Sequence, residues 1–178
     1  AFAEAGTRFT HAVASSSRSN RSIPGLWAGF PPSQIAYGPG FHWPALEDEN
    51  VLVPELLAER GWATEAIVGT TYFERSRGFF QGFGRLSQGP AYQPDPRVVT
   101  RRARAALERL GRDETPWLLW VHLFNVHQPH QHAGTPFGES LADRYDAEVR
   151  LADELIGELL ETLDRLPGKD RVVVAVAS

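Results

Sequence analysis

Val51-Leu52-Val53-Pro54-Glu55-Leu56-Leu57-Ala58-Glu59-Arg60-Gly61-Trp62-Ala63-Thr64-Glu65-Ala66-Ile67-Val68-Gly69 carries two periodicities in succession. Over Val51 to Arg60 the leucines recur at helical spacing. Pro54 falls near the first turn, where its missing N–H costs nothing, and Gly61 suits the end of a helix. From Trp62 to Gly69 the pattern changes to a short apolar strand containing Ala63, Ala66, Ile67 and Val68. A helix that passes through one glycine into an apolar strand is the repeating unit of an α/β fold.

The same alternation continues outward from this unit. Gly78 to Gly84 is a Gly/Phe loop and Pro90 to Pro96 a proline-rich connection. Arg97 to Leu110 reads as a helix with Val99, Ala103, Leu107 and Leu110 on one face and a solvated basic surface elsewhere. Trp117 to Phe124 has the apolar continuity of a buried strand, and it opens into the polar stretch Asn125-Val126-His127-Gln128-Pro129-His130-Gln131-His132. Leu141, Tyr145, Val149, Ala152, Ile156, Leu159, Leu160 and Leu163 then predict one long helix, closed by Pro167-Gly168. Arg171-Val172-Val173-Val174-Ala175-Val176 predicts a final buried parallel strand. The fold class expected is therefore α/β, a largely parallel sheet flanked by helices, with its chemistry at the carboxyl ends of the strands. That rule puts Asn125 to His132 on the active edge.

Toward the amino end, Ala1 to Gly6 reads as the tail of a helix and Thr7 to Ala14 as a short extended piece. Ser15-Ser16-Ser17-Arg18-Ser19-Asn20-Arg21-Ser22 is a hydroxyl- and arginine-rich turn entering a short helix that Gly29 and Pro31-Pro32 close. Backbone N–H groups at a helix start favour an anion such as phosphate or sulfate. Two guanidiniums and several hydroxyls at the same place suit attack on such an anion. The stretch reads equally as a serine-rich surface loop with an ordinary cap. Ser33 to Asn50 is irregular.

Composition bounds the rest. The chain has 178 residues, of which 42% are hydrophobic and 22% charged, enough for one ordinary domain with a real core. A net charge of −4 argues against a nucleic-acid binder. No apolar run approaches about 18 residues, so no stretch reads as a membrane span. Zero cysteines exclude disulfides and a thiol nucleophile. A chain that begins inside a helix tail and stops on an apolar strand is expected to be part of a larger domain.

Among groups able to do chemistry, a serine needs a base, a metal or a cationic setting to become a nucleophile. His127, nearest the strand end, differs from His130 and His132, which read as loop residues. His122 reads as a core histidine, and Glu148 and Asp153 as capping or packing residues of the long helix.

Several segments together resemble the sulfatase N-terminal domain of the alkaline-phosphatase superfamily. Ala3-Glu4-Ala5-Gly6-Thr7-Arg8-Phe9-Thr10-His11-Ala12 is similar to that family's "AEEGVRFTNAY". Leu56 to Thr64 is similar to "LLREAGYRT", Trp120 to Pro129 to "FVHYFDPHDP", and Tyr145-Asp146-Ala147-Glu148-Val149 with Asp153 to "YDAEIxxxD". Ser19 and Gly29 stand where the family places its nucleophile and the glycine of "L-x-T-G". The order of these segments covers nearly the whole chain. The resemblance implies an alkaline-phosphatase-like fold of which residues 1–178 are a partial catalytic domain, truncated at both ends. It implies a metal-dependent hydrolase or transferase acting on sulfate or phosphate esters through a covalent intermediate. Ser19 would be the nucleophile and a metal ligand, and His127 would meet the substrate or leaving group. Arg18, Arg21 and Asn125 would bind the substrate. The cofactor implied is a divalent cation (Ca, Mg, Mn or Zn), its other ligands being an Asp pair before Ala1 and an Asp-His after Ser178. Implied partners are sulfated or phosphorylated glycans or lipids, at a periplasmic, extracellular or membrane-attached location, with membrane anchoring in the full-length protein.

Formylglycine-forming sulfatases carry Cys or Ser followed by x-Pro-Ser-Arg, whereas Ser19 is followed by Asn20-Arg21-Ser22-Ile23. Arg18 to Leu26 looks closer to the "R-T-x-S-G-I-F-G-L" of lipoteichoic acid synthases and phosphoethanolamine transferases, which use an unmodified hydroxyl. The alternative is a catalytically inactive relative that binds an anionic glycan or lipid head group.

Overall fold

Three parallel strands form the centre of the molecule, and the helices lie on both of their faces. The computed structural model describes residues 2–40, 43–89 and 91–178. Pro90, part of the expected proline-rich connection, and Ala1, at the head of the expected helix tail, lie outside the described residues. The order is α1 (Phe2–Ala5), α2 (Ser19–Ala28), α3 (Val53–Ala58), β1 (Ala63–Val68), β2 (Arg85–Gln88), α4 (Pro96–Leu110), β3 (Trp117–His122) and α5 (Leu141–Asp164). The sheet order is β2-β1-β3 with both pairings parallel, and Ala66 stands opposite Leu86 on one side and Trp120 on the other.

Side-chain alternation along the strands builds two cores. Ala66 and Val68 of β1, with Leu118 and Trp120 of β3, meet Phe73, Phe79, Phe80 and Phe83 and the inner face of α2. Trp27 of α2 lies edge-on to Phe83 at 5.5 Å and to Trp120 at 5.4 Å. On the opposite face, Ile67, Leu119 and Val121 meet Val99, Ala103 and Ala106 of α4 and Leu159 of α5. Glu65 shares that face; its buried carboxylate pairs with Arg109 of α4 and, at 3.7 Å, with Arg85.

Local sequence explains the helix ends. Gly29 adopts φ 71° and its N–H reaches the Gly25 carbonyl at 3.0 Å, closing α2 in a conformation that a side chain resists. Asp95 caps α4 by accepting from the Arg97 N–H at 2.9 Å. Ser140 and Asp143 form a reciprocal capping box at the start of α5.

Two expectations, the final strand and the burial of β3, are corrected. Val172 to Ser178 forms no strand: it lies irregular and largely exposed, Val173 at 94%, because a β-branched run becomes a strand only when a partner supplies its ladder. Thr7 to Ala14 is likewise exposed, without regular structure. β3 is half-buried along its whole length rather than buried, since β1 flanks it on one side and no described strand pairs with the other. The buried stripe of α5 is Ala147, Glu148, Leu151, Leu155 and Thr162, while Leu141, Tyr145 and Val149 are exposed. A carboxylate joins that stripe because neighbouring donors satisfy it. Arg85 to Gln88, polar and short, becomes a strand only by pairing with β1.

Candidate functional site

The carboxyl ends of β1 and β3 open into two segments, 69–73 and 123–133, and α2 begins on the same side of the sheet as Tyr72. Ser19 is the first residue of α2, and Arg18, in extended conformation, is its N-cap. The Ser22 and Arg21 N–H groups turn back to the Arg18 carbonyl, both at 2.9 Å, so the first turn is closed behind Ser19. Ser15 lies directly over Gly25: a Cβ there would come within 2.9 Å of the Ser15 hydroxyl. This close approach folds the serine-rich turn down onto the helix that follows it. Ser19 is half-buried and Arg18 exposed. The Arg21 guanidinium is stacked on the Tyr37 ring, 3.9 Å from its centroid.

Tyr72 links this segment to the histidine loop. Its ring lies 6.0 Å from both Tyr92 and Phe124, and the Arg18 charge acts on its hydroxyl. Burial nonetheless raises the Tyr72 pKa above 10.0, so the phenol stays neutral. Phe124 in turn stacks on His127 at 4.5 Å and 19°, with Tyr92 edge-on to the same imidazole at 6.3 Å. His127 is exposed, and its Nδ1 lies 2.8 Å from the Gln128 carbonyl oxygen. A carbonyl only accepts, so Nδ1 carries the hydrogen in this contact and Nε2 is left free of it.

Asn125, expected to touch substrate, is 1% exposed and turned inward. Its Nδ2 donates to the backbone carbonyl of Glu148 at 2.9 Å and to the Glu148 carboxylate at 2.8 Å. His122 is enclosed by Phe73, Trp120 and Phe124, with ring centroids at 5.5, 5.7 and 5.7 Å. Desolvation lowers its pKa from 6.5 to about 4, which agrees with a neutral core residue. His130 is buried at φ 57°, beside Tyr145, and His132 is half-buried.

Among the described residues no three His, Asp or Glu side chains converge to hold a metal ion. One serine hydroxyl is a single oxygen donor, whereas divalent cations take several. The residues present therefore do not by themselves fit the implied cation. An open cleft lined by Trp62, Thr64, Gly82 and Phe83 lies at the opposite, amino end of the strands, away from these groups.

Sequence reasoning missed Tyr72 and Gln93, neither of which stands in a motif. For Glu148 there was a signal, a carboxylate beside Ala147 and one turn before Leu151.

Comparison with known proteins agrees with this architecture. The Sulfatase family model matches residues 1–178, and the chain belongs to that family. No curated protein sequence matches it. A protein in the alkaline phosphatase superfamily from Vibrio parahaemolyticus superposes with a TM-score of 0.66 at 21% identity, covering 89% of this chain and 42% of that one. Ps i-CgsB in complex with k-i-k-neocarrahexaose gives 0.67 at 16%, covering 85% and 46%. The lipoteichoic acid synthase LtaP from Listeria monocytogenes gives 0.54 at 17%, covering 64% and 32%. These likenesses show an alkaline-phosphatase-like fold, and the chain spans less than half the length of each structure.

Proposed function

We propose that this member of the Sulfatase family is the nucleophile-bearing part of an enzyme that cleaves or transfers a sulfate or phosphate ester. The observation that carries the reading is the position of Ser19: first residue of α2, with Arg18 immediately before it and exposed. A helix start offers N–H groups and a positive dipole end, and an adjacent guanidinium adds charge-assisted hydrogen bonds. Both favour the negative charge that grows on the non-bridging oxygens during transfer.

In the proposed reaction the Ser19 oxygen forms a bond to sulfur or phosphorus as the bond from that atom to the ester oxygen breaks. The proton released by the Ser19 hydroxyl passes by way of the His127 imidazole to the ester oxygen, which leaves as the alcohol. Water or an acceptor alcohol then resolves the seryl ester. Arg18 holds the anion, Arg21 supports α2 through Tyr37, and Asn125 contributes by holding the loop that carries His127. A divalent cation remains part of the proposal only with ligands from outside residues 1–178, and no step above runs through it. Sulfated or phosphorylated glycans or lipids are the proposed substrates, in keeping with the oligosaccharide in one structural neighbour and the lipoteichoic acid synthase among the others. A periplasmic, extracellular or membrane-attached location goes with such substrates.

Mass spectrometry of the Ser19 peptide from the full-length protein divides the chemistry. An unmodified serine that becomes phosphorylated during turnover supports the phosphoryl version. Loss of two hydrogen atoms at Ser19 marks formylglycine and sulfate chemistry. Neither change, together with no turnover of bis(4-nitrophenyl) phosphate or 4-nitrophenyl sulfate, leaves an anion-binding relative without catalysis.

A further inference from the structure

The loop from Phe124 to Ala133 has little regular structure of its own, yet two buried side chains from different parts of the chain grip it. From the connection ahead of α4, the Gln93 amide nitrogen donates to the carbonyl oxygens of His127 at 2.9 Å, Phe124 at 3.3 Å and Asn125 at 3.4 Å. From α5, the Glu148 carboxylate accepts from the backbone N–H of His132 and, at 3.0 Å, of Ala133, and from Asn125 Nδ2 at 2.8 Å. Gln93 is 8% exposed and Glu148 0%. Arg97, in the first turn of α4, adds a donor to the His132 carbonyl at 3.3 Å.

The chemistry of the two grips is complementary. An amide NH2 can serve only the loop's acceptors, and a carboxylate only its donors. Between them they satisfy backbone groups that an irregular loop would otherwise leave unpaired below the surface. Their consequence falls on His127. Its own carbonyl is one of the Gln93 acceptors, and its ring is exposed against Phe124, whose carbonyl is another. An imidazole on an irregular loop is placed only as well as the backbone that bears it.

We infer that Gln93 and Glu148 are the positioning residues of this site: they hold the His127 loop in register with the sheet edge, with Gln93 setting the height of His127 itself. The inference rests on the proposed role of His127, and the test separates the two. In the full-length protein, Gln93→Met keeps the side-chain length and removes the donor, and Glu148→Gln keeps the shape and leaves one carbonyl oxygen in place of the carboxylate. Hydrogen exchange needs no substrate. Both variants are expected to speed exchange at the His132 and Ala133 amides by about tenfold or more while β1 amides stay unchanged. In the same variants, turnover of bis(4-nitrophenyl) phosphate or 4-nitrophenyl sulfate is expected to lose about 10- to 100-fold in kcat with KM within about threefold, as misplacement of a reacting group predicts. Unchanged loop exchange overturns the inference. So does equal acceleration in β1, which makes the two residues supports of the whole fold, or a loosened loop with undiminished kcat where the wild type is active. If the wild type turns over neither ester, or His127→Ala has full activity, the proposed function fails at that point, and the exchange result alone decides whether the loop is anchored as described.

Discussion

The two segments that carry the candidate site differ in exposure and in the contacts that surround them. The 123–133 loop is anchored by buried polar side chains, Gln93 and Glu148, each satisfying several backbone groups. In the Ser15–Arg21 segment Ser15, Ser17 and Arg18 are exposed, Ser16, Ser19 and Arg21 are half-buried and Asn20 is buried at 3%, and the segment runs directly into α2. That helix is fixed by an apolar contact, Trp27 against Phe83 and Trp120. Directional hydrogen bonds fix a loop in a definite shape, whereas packing fixes a helix as a rigid body and leaves its first residue open to solvent and ligand. The difference fits the proposed roles, in which Ser19 must admit an anion and His127 must be found in one place.

The largest expected effect comes from removing the open side of this comparison. Ser19→Ala in the full-length protein should reduce ester turnover by on the order of 10³-fold or more with circular dichroism unchanged. Activity within a factor of a few of wild type would remove Ser19 from the mechanism. Next is the packing that positions α2. Trp27→Ala should cost about 3 kcal/mol of stability in urea unfolding, because the aromatic contact with the sheet is lost. A loss below about 1 kcal/mol would show that α2 is held by something other than Trp27.

His122 gives a pH test of the shared aromatic layer. Its folded pKa of about 4 lies below the unfolded 6.5, so between those values the unfolded chain binds the extra proton. The stability contribution is complete above pH 6.5 and falls as pH drops toward 4, by about 3 kcal/mol in all. His122→Phe should flatten that part of the profile; an unchanged slope would assign it to other groups. The smallest effect concerns Arg21, whose stack on Tyr37 is worth about 1 kcal/mol. Arg21→Ala should lower stability by that amount, and a much larger loss of kcat than of stability would move Arg21 from support of α2 to direct contact with the anion.

Much of the scaffold was legible locally. The helix–Gly–strand unit at Val53–Val68, the start and end of α4 and the capping of α5 each follow from residues within a few positions of one another. β2 was not legible, since Arg85-Leu86-Ser87-Gln88 has no strand signature of its own. The valine run after Arg171 shows the reverse error, strong strand propensity with no ladder to join. The site divides in the same manner. Ser19 and His127 are visible as residue types beside a helix start and a strand end, but nothing in the sequence distinguishes Gln93 from any other loop glutamine. Asn125 and Glu148 were visible as residues but not as partners: Asn125 turns inward to the Glu148 carboxylate, and Glu148, expected to cap or pack, joins the buried stripe of α5.

The sequence by itself determined the alternation of helices and strands, the parallel sheet and the placing of polar loops at its carboxyl edge. Those features depend on periodicity and on residues near one another in the chain. Only the tertiary structure decided that Gln93 meets His127, 34 residues away, and that Asn125 meets Glu148, 23 residues away. Such contacts form only after the chain has closed on itself, and a hydrogen-bond partner brought from that distance leaves no local trace in residue spacing.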